Sequence, residues 1–93
     1  MNLYARYVEP DAGYKFDREN CQRYLTLYEQ YLVDYVDMGQ SFTTIGLAKF
    51  PKVAFNSVNF DFFDEFNNPH DIYKDPEYNP YLELDKEWKK LFV

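Results

Sequence analysis

Apolar side chains at Cys21, Tyr24, Leu25, Tyr28, Tyr31, Leu32, Tyr35 and Val36 repeat the three-then-four spacing of one helical face. In a chain of 93 residues, a stripe that long constrains everything built around it. Asp17 is a good N-cap residue, Phe16 before it can staple onto Cys21, and Gly39 supplies a C-terminal stop. The spacing therefore predicts one long helix over about residues 18–38.

The flanking segments read as strands. Residues 2–8 combine Leu3, Tyr4, Ala5, Tyr7 and Val8 with the single charge of Arg6, and Glu9 to Gly13 form a turn. Residues 41–50 are rich in β-formers and close at Pro51, after which Val53, Ala54 and Phe55 can pair back as a hairpin arm. Residues 58–62 alternate like a strand, although Val58, Phe62, Phe63 and Phe66 also suit a helical face. The Asn- and Pro-rich run 67–80 predicts irregular backbone. Asn79 can then cap a final helix near 80–92, on which Tyr81, Leu84, Trp88, Leu91 and Phe92 share a face and Trp88 is buried. The expected fold class is α+β: a small, mainly antiparallel sheet packed on one long helix, with a C-terminal helix, in a single domain spanning 1–93.

A short chain needs large side chains to fill its core, and 10 Tyr and 9 Phe supply them. Cys21 is the only cysteine, which excludes an intramolecular disulfide framework and a zinc site built from several thiolates, and fits a reducing, cytoplasmic compartment. The N-terminal residues lack a basic region followed by an apolar stretch, and no run approaches the ~20 apolar residues of a membrane span.

Catalytic candidates are few. His70, the sole histidine, lies in an Asn68-Pro69-His70-Asp71 loop and reads as a solvated side chain. Cys21 falls on the apolar stripe, where a packing thiol is expected. Ser41 and Ser57 lack a nucleophile-elbow context, and Gly13, Gly39 and Gly46 are too scattered to cradle phosphate. Asp61, Asp64 and Glu65 do not follow the calcium-loop spacing. The expectation is no enzyme activity, no metal and no cofactor.

Charge carries the positive signal. The net charge is −6, and Asp61 to Glu87 holds nine acids against Lys74 and Lys86, a local net of −7. Such a field attracts and orients a basic partner, and basic protein surfaces are most often nucleic-acid sites. Direct nucleic-acid binding is disfavoured because the chain's own bases are dispersed. The residues expected to carry partner binding are Asp61, Asp64, Glu65, Asp71, Asp75, Glu77, Glu83 and Asp85, with Glu87 set against Lys86 or Lys90. The tyrosine stripe Tyr24, Tyr28, Tyr31 and Tyr35 also suits a homodimer interface.

In size, acidity, aromatic richness and lack of catalytic motifs, the chain resembles the small phage-encoded DNA-mimic inhibitors, including anti-restriction proteins of tailed phages. The resemblance is compositional and covers mainly 61–87. It implies an inhibitor that occupies the nucleic-acid site of a host defence protein, acting in the host cytoplasm. The alternative is a general protein-interaction adaptor or structural dimer.

Overall fold

A computed structural model describes residues 2–82. Its first strand, β1 (Tyr4–Tyr7), leads through a turn into the helix α1 (Lys15–Tyr24). The helix stops there. Leu25 is extended, and Thr26 to Glu29 make a turn, closed by Glu29 N–H donating to Thr26 C=O at 3.1 Å, in which Tyr28 has φ 70°. Tyr31 clamps this turn: its hydroxyl accepts from Thr26 N–H at 2.8 Å and donates to Glu29 at 2.9 Å. The chain then runs as a nine-residue strand, β2 (Gln30–Met38).

The long helix expected over 18–38 is thus corrected to one short helix followed by a strand. Two features explain the false period. Residues 30–38 are dense in Tyr, Val and Leu, which favour a pleated, half-buried surface. In addition, Val33 pairs with Leu47 and Tyr35 with Gly46, leaving Asp34 as an extra residue in a β-bulge. The inward side chains therefore fall at 31, 33, 36 and 38, whereas the apparent helical stripe joins the inward Tyr31 and Val36 to Leu32 and Tyr35, which point outward. Hydrogen bonding to strands on both sides replaces the helical ladder.

Strands β3 (Thr43–Leu47) and β4 (Phe50–Asn56) form the expected hairpin, joined through Ala48 and Lys49. Pro51 lies inside β4 rather than ending a strand, which an edge strand tolerates because its outer N–H needs no partner. A single 3₁₀ turn (Ser57–Asn59) leads to β5 (Phe60–Phe63), so the 58–62 segment is strand only from Phe60. The five strands are all antiparallel neighbours, in the order β4-β3-β2-β1-β5.

This order forces curvature. The strands β4 and β5 occupy opposite edges, yet only the three residues of the 3₁₀ turn separate them. In a flat sheet those edges would stand about 19 Å apart, whereas four Cα steps span at most about 14 Å. The sheet curls until its edges approach, and Phe55 and Phe60 meet edge-to-face across the gap with ring centroids 6.0 Å apart. Inside the curl lie Ala5, Tyr7, Tyr31, Ile45 and Leu47, with Cys21 of α1 and Leu25 just after it closing one side. Full burial of such side chains stabilises by about 1.5–3 kcal/mol each. A smaller cluster of Leu3, Met38 and Ile72, flanked by Tyr78 and Tyr81, anchors the segment after β5 to the sheet.

The architecture is α+β with an antiparallel sheet, as expected, but the sheet has five strands because β2 replaces the second half of the expected helix; α1 is the one α-helix assigned as an element among the described residues. The C-terminal helix expected near 80–92, and Trp88 with it, falls on positions from 83 onward that lie outside the described residues. No helix among the described residues is long and apolar enough to cross a membrane.

Candidate functional site

The acidic segment begins on β5 and continues through two tight turns. Asp61 is exposed on β5, with Arg6 of β1 as its cross-strand neighbour. The Arg6 guanidinium is occupied elsewhere, lying 4.4 Å above the Phe63 ring and donating to Gln30 at 3.0 Å. Beyond β5, Asp64 Oδ1 accepts from Phe66 N–H at 2.8 Å and Asn68 N–H at 2.9 Å, folding residues 64–68 into a turn in which Asn67 has φ 63°. Glu65 projects from that turn.

The chain returns antiparallel alongside β5. Asp64 N–H donates to Asn68 C=O and His70 N–H to Phe62 C=O, each at 2.9 Å. It then peels away into a second 3₁₀ turn (Ile72–Lys74), capped by Asp71 Oδ1 accepting from Tyr73 N–H at 2.9 Å. Asp75 uses both oxygens: Oδ1 accepts from Glu77 N–H at 2.9 Å, and Oδ2 lies 2.7 Å from His70 Nε2. Glu77 is exposed.

Three of the expected site residues, Asp64, Asp71 and Asp75, therefore build backbone turns, whereas Asp61, Glu65 and Glu77 make no such bonds. Each capping aspartate binds the amide two residues on, but Asp61-Phe62-Phe63 has the same Asp-x-Phe spacing as Asp64-Glu65-Phe66, so spacing alone does not mark the division; Asp61 is held in β5 and caps nothing. Glu83 and Asp85, and Glu87 with them, lie outside the described residues. Backbone bonds lower the Asp64 carboxyl below its usual range, led by the one from Asn68; Asp75 is lowered chiefly by its bond from Glu77, with His70 adding to the effect. Both stay ionised. Among the described residues Lys15 pairs with Glu19 and His70 Nε2 bonds Asp75, leaving Asp61, Glu65, Asp71 and Glu77 without a cationic partner there.

Asp61 and Asp71 line one open cleft of about 620 Å³ between β5 and the returning segment. Its walls include Phe60, Phe62 and Ile72, and Ser57 Oγ and Tyr73 OH meet there at 3.2 Å. His70 also lines this cleft, part-buried and bonded to Asp75 rather than free in solvent. No group of three His, Cys, Asp or Glu side chains among the described residues is arranged to hold a metal ion. Cys21 is fully buried; burial, and then the Asp17 charge, push its thiol pKa up to about 11, so it is neutral and shielded at physiological pH.

A second surface stands apart from the acids. Tyr14, Phe16 and Phe42, exposed by 76%, 65% and 62%, surround a small apolar cleft between the start of α1 and the β3–β4 hairpin. The tyrosine stripe expected to form an interface is dispersed instead: Tyr31 is in the core, Tyr28 in the turn and Tyr35 over Gly46 on β2.

A family model described as Bacteriophage T4 protein Y07B matches residues 2–84. An 11.2 kDa protein from the segB-ipI intergenic region of Enterobacteria phage T4, itself described as uncharacterized, is 35% identical over 85 residues, covering 82% of this chain and 85% of the relative. No solved structure matches.

Proposed function

Starting from a chain that belongs to the Bacteriophage T4 protein Y07B family of small phage proteins, we propose that it binds and inhibits a basic nucleic-acid-binding protein, by presenting its 61–77 carboxylates where that protein expects phosphates. One observation carries this reading. Tight turns fix Asp64, Asp71 and Asp75 in position, and the neighbouring Asp61, Glu65 and Glu77 have no cationic partner among the described residues. An array partly fixed by its turns competes for Lys/Arg grooves better than mobile acids do, because less ordering is needed on binding. A target in a host defence system, and action in the host cytoplasm, fit a phage protein of this kind.

Immobilised protein should retain nucleic-acid-binding proteins from bacterial lysate, release them as salt rises, and lose them to competing duplex DNA. The decisive variant is Asp61→Asn with Glu65→Gln and Glu77→Gln, which spares all three turn-capping aspartates. It should keep the native circular dichroism and slow association with the captured partner at least about tenfold at low salt. Retention indifferent to both salt and duplex DNA sinks the mimicry reading.

A second reading rests on the other surface: the aromatic cleft of Tyr14, Phe16 and Phe42 joins two copies of the chain.

A further inference from the structure

The free edge of β5 is only half covered. His70 N–H donates to Phe62 C=O, and Phe60 N–H donates to Ser57 C=O at the end of the 3₁₀ turn, so both phenylalanines direct their backbone groups away from β1. By the alternation of an antiparallel ladder, Asp61 and Phe63 face β1, and the outward groups of β5 are those of Phe60 and Phe62. Because the returning chain leaves after His70, the Phe62 N–H and the Phe60 C=O have no hydrogen-bond partner among the described residues. Both residues line the 620 Å³ cleft, which is apolar at Phe60, Phe62 and Ile72 and carboxylate-bearing at Asp61 and Asp71. An unpaired edge with apolar walls has the form of strand-addition sites, where main-chain bonds supply affinity and side pockets supply selectivity.

We infer that this cleft takes an extended, basic peptide segment of a partner protein, which adds as a short strand to β5 through Phe62 N–H and Phe60 C=O while its Lys or Arg side chains reach Asp61 and Asp71. Charge selects the occupant. A second copy would bring its own Asp61 and Asp71 to the same edge and a net charge of −6, so like charges would face each other. The partner's sign of charge rests on the acidic-face reading above; the strand geometry does not.

The test uses the full chain, a blocked synthetic peptide of alternating lysine and valine, and amide hydrogen exchange read at Phe62. The peptide should slow Phe62 exchange at least about tenfold. Methylating two consecutive central peptide nitrogens, which keeps the charge but removes an N–H from each strand edge, should weaken binding at least about tenfold. Asp61→Asn should weaken the unmodified peptide and leave the protein folded. Equal binding of both peptides, or an unchanged Phe62 amide, overturns the strand site while leaving charge attraction by the acidic face intact. Equal protection by a glutamate–valine peptide overturns the basic occupant, and slowing of Phe62 exchange with protein concentration alone assigns the edge to a second copy. If the lysine–valine peptide protects Phe62 while captured partners ignore duplex DNA, the strand site stands and phosphate mimicry falls.

Discussion

Asp64 and Asp75 lose their protons more readily than an ordinary aspartate, whose value is 3.8, because folded backbone N–H groups point at their oxygens. A carboxyl depressed in the fold adds stability that is fully present above the unfolded value and is lost as pH falls through the lower folded one. Acid should therefore loosen the turns at 64–68 and 75–79 first. In hydrogen exchange, the Phe66, Asn68 and Glu77 amides are expected to lose protection below about pH 3.8 at higher pH than β2 amides do. Asp64→Asn should remove that pH dependence at Phe66 and Asn68 alone. Uniform loss across turns and sheet rejects the assignment. Cys21 offers an independent check: with its thiol neutral and enclosed, iodoacetamide should label it at the rate of unfolding, not at that of a free thiol.

Between neighbouring strands, Gly46 sits directly opposite Tyr35, whose ring lies over it so closely that a Cβ at residue 46 would overlap the ring. The substitution Gly46→Ala should cost about 1–3 kcal/mol by forcing the ring aside, and clearly less in a Tyr35→Ala background. Urea unfolding of the two singles and the double measures the coupling; additive costs would mean the ring does not pack there. The same pair shows why β2 was not legible as a strand. In the sequence Tyr35 falls on a helical stripe, and nothing local to it reveals the bulge at Asp34 or the glycine awaiting it on β3. The strand β1 and the β3–β4 hairpin were legible because their β-formers lie between short turn signals. The helix start was misplaced for a local reason: Asp17 accepts from Tyr14 N–H at 2.9 Å, acting from the third helical position back onto the cap, rather than as the cap itself. At the candidate site, the acidic segment was visible from composition, whereas the split between capping and free carboxylates and the open β5 edge depend on backbone directions that composition does not encode.

Taken as a whole, the molecule carries two surfaces that should answer salt in opposite ways. Closure of the curled sheet presents both, and it depends on Phe55 meeting Phe60, so Phe55→Ala should cost about 3–5 kcal/mol and destabilise the entire fold. On the intact fold, partner binding through the acidic face is an attraction between unlike charges and weakens as ions screen it. Self-association through Tyr14, Phe16 and Phe42 joins apolar groups on two bodies that each carry −6, so screening removes a repulsion and leaves the apolar gain. Sedimentation at rising salt should then show more dimer, while the Phe16→Ser variant, changed at a 65%-exposed side chain and so still folded, should remain monomeric. A chain that sediments only as an 11.3 kDa species at high concentration and high salt has no such interface. A dimer that dissolves with salt would be held by charge, with Lys15 and Arg18 near the aromatic cleft as the cations that reach a neighbour's acids.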